Sequence, residues 1–215
     1  METQNLWKKH LRVIPDKVWE QPGLRTLILA DNDLTEVPAR IGSLQNLRTL
    51  DLGHNLLVTV PEEIGDIEEL RDFLYLHDNR LESLPAALGK LRNLRYLNIS
   101  ENRFAIFPEC ICSMASLVEL RATDNLLAEL PESIGNLACL RELHLRNNAL
   151  RSLPAQIAKL SELRQIDLRG NPIEYLPDAL LLLPKLEKID LRWVNTLTPP
   201  VWFSTLEDRG CLIYR

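Results

Sequence analysis

The sequence predicts an α/β solenoid in which every short unit adds one strand to a parallel sheet and one turn to the opposite side. Three observations predict it. A phrase such as LRELHLRNNALRSLP at 140–154 recurs at a step of 23 residues, with a single step of 24. Leu143 and Leu145 have the period of two that puts both side chains on one face of a strand. The period is lost after Asn148, so each strand is followed by a turn.

Eight units can be counted from their first leucine, and asparagine and proline recur at fixed places in seven of them. The units begin at Leu24, Leu47, Leu70, Leu94, Leu117, Leu140, Leu163 and Leu186. The ninth-position asparagines are Asn32, Asn55, Asn79, Asn102, Asn125, Asn148 and Asn171. The prolines that follow are Pro38, Pro61, Pro85, Pro108, Pro131, Pro154 and Pro177. We therefore expect a single domain over 1–215, with seven full repeats over 24–185.

The pattern LxxLxLxxNxL at this period is identified as that of the leucine-rich repeat family. The second half of each unit, LPxxIGxL as at 130–137, resembles the 23-residue subclass of Ras-group and bacterial intracellular leucine-rich repeat proteins. The resemblance implies a curved horseshoe with the parallel sheet on the concave face and short helical or 3₁₀ turns on the convex face. It says little about the partner, because the matching residues are structural.

Each unit has the same three parts in the same order. A short strand comes first, as at 49–52. The asparagine side chain can then bond backbone groups that the bend leaves unpaired, so we expect neighbouring copies to stack into a ladder. Proline suits the first position of a 3₁₀ turn, where its missing N–H is no loss. Apolar residues such as Ile64 and Ile67 point inward from that turn.

Both ends are predicted to cover the core, because the end coils of a solenoid are hydrophobic. Residues 1–23 form a degenerate first unit with Lys9 in the asparagine place. Residues 186–215 form a C-terminal cap in which Val194 ends the ladder. A helix is expected to start at Pro199-Pro200, and a closing strand is expected at 211–214.

The unit with 24 residues predicts a bulge. Leu74 and Leu76 determine the register of its strand, because a slip by one residue would turn every side chain to the wrong face. The extra residue must therefore lie before Leu74, near 70–72. The bulge either re-aims Phe73 and Tyr75 on the concave face or is a harmless insertion.

Composition narrows the functional classes. The formal net charge of −5 argues against the basic stripe that nucleic acid or an anionic membrane would need. No run approaches 18 apolar residues, and the N-terminus lacks the apolar stretch of a secretory signal. The four cysteines lack the spacing of a zinc site, so we expect reduced, unligated thiols. We expect a cytoplasmic monomer with no cofactor and no metal.

Positions three, five, seven and eight of each unit are not dictated by the fold, so function is sought there. Their character changes along the chain, with aromatic residues in the middle units and interleaved arginines and aspartates in the last ones. Tyrosine and arginine are enriched at interface hot spots. For the last units, a self-paired charged surface is the alternative to binding. The predicted partner-binding residues are Phe73, Tyr75, His77, Tyr96, Asn98, Glu119, Arg121, Glu142, His144 and Arg146.

Catalysis finds no support in the sequence. His144 and Asp167 lie on neighbouring strands, but no serine or cysteine occupies the adjoining positions. Glu119 and Glu142 could mimic an acid–base pair, yet Arg121 beside them makes ion pairing the better interpretation. No phosphate-binding loop, kinase signature or HExxH motif occurs.

The sequence thus predicts a non-catalytic scaffold that binds a protein partner through its concave face. The resemblance implies a small GTPase, a kinase or a host signalling protein as possible partners. One alternative is the substrate-recognition part of a larger bacterial enzyme, such as a kinase or a ubiquitin-ligase effector. Another is an engineered repeat scaffold.

Overall fold

The computed structural model describes residues 2–215, and within them every coil contributes one strand to the same sheet. The strands pair in parallel and in sequence order, with β1 and β10 at the edges of an open sheet. This confirms the predicted solenoid. The strands are β1 (Thr3–Asn5), β2 (Thr26–Ile28), β3 (Thr49–Asp51), β4 (Phe73–Tyr75), β5 (Tyr96–Asn98), β6 (Glu119–Arg121), β7 (Glu142–His144), β8 (Gln165–Asp167), β9 (Lys188–Asp190) and β10 (Leu212–Tyr214).

Short 3₁₀ turns connect the strands on the other side of the core, as predicted. Each turn is preceded by the repeated proline in an extended conformation, for example Pro131 with φ −71° and ψ 155°. The proline therefore lies just before the turn rather than at its first position. Its carbonyl accepts the first hydrogen bond of the turn, from Ile134 N at 3.1 Å. The turns are Asp16–Val18, Ala39–Ser43, Glu62–Asp66, Ala86–Lys90, Glu109–Ser113, Glu132–Asn136, Ala155–Lys159 and Asp178–Leu182.

The core is one continuous apolar cluster between the sheet and the turns. Each coil adds the same set of side chains, so the clusters of successive coils merge. Ile134 and Leu137 close the core from the side of the turns and are fully buried. The apolar residues that alternate along and just after the strands are fully buried, among them Leu74, Leu76, Leu97, Ile99, Leu143 and Leu145.

The asparagines form the predicted ladder. Asn148 Nδ2 donates to the carbonyls of Ala122 at 2.8 Å, Leu145 at 2.9 Å and Arg146 at 3.3 Å. Its Oδ1 accepts from Leu127 N of the preceding coil at 3.0 Å. All seven repeat asparagines are buried. One side chain thus satisfies backbone groups of two coils that the bend leaves without a strand partner.

The 24-residue unit has its extra residue where the sequence places it. Asp72 N donates to Arg48 O at 3.0 Å, and Arg95 N donates to Arg71 O at 3.0 Å. Arg71 and Asp72 together therefore occupy the place that one residue has in the other units. The regular register resumes at Phe73.

The first unit completes its turn with a neighbour's asparagine. Val18 and Trp19 are buried against the first coils, and β1 pairs with β2. Asn32 Oδ1 accepts hydrogen bonds from Lys9 N and Leu11 N, both at 3.0 Å. The degenerate unit therefore needs no asparagine of its own.

The last unit ends in a short helix and a strand. Helix α1 spans Phe203–Asp208, so it begins three residues after the second proline of the predicted start. Phe203 and Leu206 are its buried residues, and β10 pairs with β9 as expected. Among residues 2–215, no helix is long and apolar enough to cross a membrane.

Candidate functional site

The side chains at positions three and five share the sheet face that points away from the core, which we call the open face. The parallel register aligns them into two rows across the strands. The third-position row is Thr26, Thr49, Phe73, Tyr96, Glu119, Glu142, Gln165 and Lys188. The fifth-position row is Ile28, Asp51, Tyr75, Asn98, Arg121, His144, Asp167 and Asp190. All of these except Asp190 keep some exposure.

Three aromatic rings lie side by side in the middle of the open face, and we call them the aromatic cluster. The ring centroids are 5.9 Å apart for Phe73 and Tyr75, 5.5 Å for Phe73 and Tyr96, and 5.0 Å for Tyr75 and Tyr96. Phe73 is 42% exposed. A shallow cavity of about 390 Å³ runs beside the cluster and is also lined by Arg95 and Val118. Tyr75 and Tyr96, both among the predicted partner-binding residues, are thus adjacent and partly exposed.

Both tyrosines of the cluster keep their hydroxyl protons at neutral pH. Burial raises the pKa of Tyr96 to about 12. Burial also raises the pKa of Tyr75, and the negative charge of Asp51 adds to the effect. Each hydroxyl is therefore a neutral group that can donate one hydrogen bond to a ligand.

A group of charged side chains adjoins the cluster on β6 and β7. Arg121 Nε donates to Glu119 Oε1 at 2.6 Å, and His144 Nε2 lies 3.1 Å from Glu142 Oε2. His144 Nε2 is also 3.8 Å from Glu119 Oε1. The ion pair of Arg121 with Glu119 agrees with the interpretation from sequence that the arginine pairs with a neighbouring carboxylate.

The same carboxylates and imidazole have donor atoms suited to a cation. Glu119, Glu142 and His144 can each offer one ligand atom, and these atoms lie within 4.8 Å of one another. The guanidinium of Arg121 already sits on Glu119, however, where it would repel a divalent ion. Ion pairing within the protein accounts for this cluster.

His77 continues the aromatic surface toward the second unit. Its ring lies 6.0 Å from that of Tyr75 and 4.7 Å from that of His54. A side chain at Gly53 would collide with it, since a Cβ there would be 2.3 Å from His77 Cε1. His77 Nδ1 is buried without a hydrogen-bond partner. Burial, followed by the charge of His54, lowers the pKa of His77.

We expect His77 to make stability depend on pH. An unfolded imidazole takes up a proton near pH about 6.5, whereas the folded His77 stays neutral to lower pH. The unfolded state therefore binds more protons, and stability falls as pH drops through this range. His77→Gln should make the fall in urea midpoint between pH 8 and 5.5 shallower. An unchanged slope would show that His77 is not the group responsible.

The end of the open face near the C-terminus contains two self-paired arginines. Arg169 binds Asp167 through Nε at 2.8 Å and Nη2 at 2.6 Å. Arg192 binds Asp190 in the same way, at 2.9 and 2.8 Å. Burial by itself would raise the pKa of Asp190, but the hydrogen bonds and charge of Arg192 outweigh it and hold that pKa below its usual range. The alternative of a self-paired charged surface is correct for these two pairs.

Aromatic residues of the C-terminal cap flank these arginines. Trp193, which is 65% exposed, has the guanidinium carbons of Arg169 and Arg192 at 5.9 and 5.8 Å from its ring. Tyr214 lies under Lys188 and Arg192 at 5.3 and 5.6 Å. Such contacts orient the cations and leave their outer sides open. The predicted site did not include Trp193 or Tyr214.

All ten predicted site residues lie on the open face or at its rim. His77 and Arg146 occupy seventh positions, next to the fifth-position row. Asp167, Arg169 and Lys188, which were not among the predicted residues, line the same depression as Arg146. The signal was available, since these residues occupy the same positions of the next two units.

The cysteines take no part in this face. Burial raises the pKa of Cys110, Cys112 and Cys211 to about 11 in each case, so these thiols stay protonated. All four cysteines are free, and Cys139 is exposed.

Two models of repeat sequences match the chain. One, described as a leucine-rich repeat region, matches residues 62–151. The other, described as a leucine rich repeat, matches 22–81 and 132–197, which together make up more than half of the chain. The chain belongs to the leucine-rich repeat family. No curated protein is similar enough to this leucine-rich repeat protein to count as a match.

Solved structures of leucine-rich repeat proteins are similar to it. The plant peptide hormone receptor RGFR1, in complex with RGF2, is 33% identical, with a TM-score of 0.74 over 84% of this chain and 30% of that one. The ectodomain of the receptor kinase GASSHO1/SCHENGEN3 from Arabidopsis thaliana, in complex with CASPARIAN STRIP INTEGRITY FACTOR 2, is 26% identical, with a TM-score of 0.68 over 91% and 27%. This chain thus spans less than a third of either plant receptor.

A bacterial structure shares the fold. The functional domain of InlJ from Listeria monocytogenes is 16% identical, with a TM-score of 0.78 over 94% of this chain and 46% of that one. At this identity the comparison supports the fold alone.

Proposed function

We propose that this leucine-rich repeat protein is a non-catalytic scaffold that binds a protein partner through its open face. The aromatic cluster of Phe73, Tyr75 and Tyr96 is the observation that carries the proposal. Three touching rings at the centre of a polar face form the kind of exposed apolar patch that marks interaction sites. Burying them against a partner would supply most of the affinity.

The charged residues beside the cluster would orient that partner. Arg121, His144 and Arg146 can make charge-assisted hydrogen bonds, and Asn98, Glu119 and Glu142 offer complementary groups on the same strands. Their pairing within the protein holds the donors in place before binding. His77 extends the apolar surface at the other end of the cluster.

Two of the similar structures support a protein ligand. RGFR1 is solved in complex with RGF2, and GASSHO1/SCHENGEN3 in complex with CASPARIAN STRIP INTEGRITY FACTOR 2. Both are leucine-rich repeat proteins with the same fold over most of this chain. They support binding of a protein or peptide by this family, and the partner of this chain is a separate proposal.

We infer the subclass of this protein and its cellular compartment from the sequence of the repeat. The 23-residue step and the LPxxIGxL half-unit support membership of the Ras-group and bacterial intracellular subclass, and with it a cytoplasmic protein. Free cysteines are the form expected in that compartment. A small GTPase, a kinase or a host signalling protein is the partner class that this subclass suggests. We propose that the scaffold acts as a monomer and as one domain over 1–215.

A capture experiment with three proteins tests the role of the open face. The intact protein is compared with a face variant carrying Tyr75→Ala, Tyr96→Ala and Arg121→Ala. The third protein is a control variant carrying Tyr175→Ala, Leu182→Ala and Arg151→Ala, whose exposed side chains lie outside the strands. Each is immobilised and incubated with an extract of the source organism or of its host.

We expect a partner that is captured by the intact protein and by the control variant and lost from the face variant. The three substitutions should weaken binding by at least about 100-fold, since each hot-spot residue contributes roughly 2 kcal/mol. Melting temperatures of the variants must match that of the intact protein. A partner retained by the face variant and lost from the control variant would place the binding site away from the open face.

A further inference from the structure

A cationic depression lies next to the aromatic cluster, between β6 and β9. Its volume is about 270 Å³. Four of the side chains that line it are cations, and among the described residues Asp167 is the one carboxylate in the lining. The lining residues are Arg121, Thr123, His144, Arg146, Gln165, Ile166, Asp167, Arg169 and Lys188.

Arg146 lines this depression, and its buried Nε has no hydrogen-bond partner. Its Nη2 donates to Asp124 Oδ2 at 3.0 Å. Burial by itself would raise the pKa of Asp124, but hydrogen bonds from Asn147 and Arg146 and the charge of Arg146 outweigh it and lower that pKa. A buried, unsatisfied donor on a charged group is costly, so an acceptor placed against it would be strongly favoured.

The neighbouring cations are preorganised around the same space. Arg121 uses Nε for Glu119, and Arg169 uses Nε and Nη2 for Asp167. Lys188 Nζ is 3.8 Å from the nearest oxygen of Asp190, which is longer than a hydrogen bond. The acids thus position the cations, and the Lys188 ammonium has no hydrogen bond to a carboxylate that a ligand would have to displace. Arg146 Nε is buried, so a ligand would reach it only after the side chain moves.

We propose that this depression binds a carboxylate of the partner. A carboxylate matches the donor geometry of arginine and carries a single negative charge. A phosphate group, at about −1.5 to −2, would also be attracted, because four cations outnumber Asp167 in the lining. Every polypeptide, however, carries carboxylates at its C-terminus and in its Asp and Glu side chains without any modification. The proposal rests on the proposed function only in taking the carboxylate to belong to a bound protein or peptide.

The distance between the aromatic cluster and the depression indicates how far apart an apolar side chain and a carboxylate would lie in the partner. Tyr96 on β5 and Arg146 beside β7 are two strands apart, roughly 10 Å. An extended peptide advances about 3.3 Å per residue. The partner would therefore present an apolar or aromatic side chain some three to five residues from its carboxylate.

Nuclear magnetic resonance of the arginine Nε–Hε groups tests the depression without any partner. The full ¹⁵N-labelled chain is titrated with propionate, with the neutral propionamide and with inorganic phosphate, at constant pH and ionic strength. We expect a saturable shift of the Arg146 signal with propionate and none with propionamide. These probes need no aromatic contact. The titration can therefore fail while the capture experiment succeeds, and the capture experiment can fail while the titration succeeds.

Variants decide whether Arg146 carries the binding. Arg146→Gln should weaken propionate binding, followed on the remaining arginine signals, at least tenfold. Arg151→Gln should leave it unchanged, because Arg151 is exposed and pairs with Glu174. Asp167→Asn should tighten it about fivefold by removing the carboxylate of the lining. A gain of affinity cannot result from misfolding.

Two pentapeptides then distinguish the source of the carboxylate. Acetyl-Phe-Ala-Ala-Ala-Ala with a free C-terminus presents a terminal carboxylate, and amidated acetyl-Phe-Ala-Ala-Glu-Ala presents a side chain. Stronger binding of either one supports the proposal and identifies the source. Three results would overturn it: equal shifts with propionate and propionamide, unchanged binding in Arg146→Gln, or tenfold tighter binding of phosphate than of propionate.

Discussion

Replacing Leu145 with alanine is expected to lower the free energy of unfolding by about 2–5 kcal/mol. Leu145 follows β7 and is fully buried in the continuous core. Core atoms of the preceding and following coils surround it, so the deleted atoms would leave a cavity. A solenoid closes such a cavity poorly, because moving one coil inward would break its hydrogen bonds to both neighbours.

Urea unfolding followed by circular dichroism measures this effect. Leu126→Ala is the matched control, since Leu126 is also a leucine of the repeat but is 60% exposed. The control should change stability by less than about 1 kcal/mol. If the two variants lost equal stability, the burial of Leu145 in the core would be contradicted.

Replacing Asn148 with alanine is expected to cost about 3 kcal/mol or more. The change leaves Leu127 N without its acceptor and removes the shared donor of three carbonyls. Each buried polar group left unsatisfied costs about 1–3 kcal/mol. The loss should exceed that of a single hydrogen bond, because one side chain serves two coils.

Asn46→Ala provides the comparison for Asn148→Ala. Asn46 is exposed, and its Nδ2 donates to Pro22 O at 2.7 Å. Its removal should cost about 1 kcal/mol or less, the usual net value of one hydrogen bond. Hydrogen exchange would add a second readout, since the amide of Leu127 should lose protection in Asn148→Ala. Equal losses from both variants would contradict a structural role of the ladder.

Much of the fold was accessible from the sequence because the repeat supplies the same constraint many times. One unit such as 140–154 would be ambiguous, but copies in register determine which side of every strand faces the core. The bulge at Arg71–Asp72 was accessible for the same reason, since Leu74 and Leu76 leave the extra residue no other place. The start of α1 was less predictable, because Pro200 is in phase with the repeated prolines and yet the helix begins only at Phe203.

The sequence predicted which residues form the two rows of the open face. It predicted less well which of their side chains contact one another. Phe73 and Tyr96 occupy equal positions of adjacent strands, and Tyr75 lies diagonally across from Tyr96, so the parallel register brings the three rings together. The sequence analysis did not predict that Arg146 and Arg169 would pair with acids in different places, although both occupy the seventh position of their units. Arg169 has Asp167 two residues earlier on the same strand and pairs with it. Arg146 has His144 in that place, so its guanidinium turns to Asp124 on the neighbouring coil instead.

The sequence by itself determined the number of coils, the parallel order of the strands and the identity of the side chains on the open face. These follow from backbone periodicity and from burial of leucine, which act locally and repeat in every unit. Only the tertiary structure decided how the long charged side chains are shared among coils. The conformations of Arg121, Arg146 and Arg169 depend on which acid a neighbouring strand brings within reach. The unused Nε of Arg146 is therefore a property of the assembled sheet and of no single repeat.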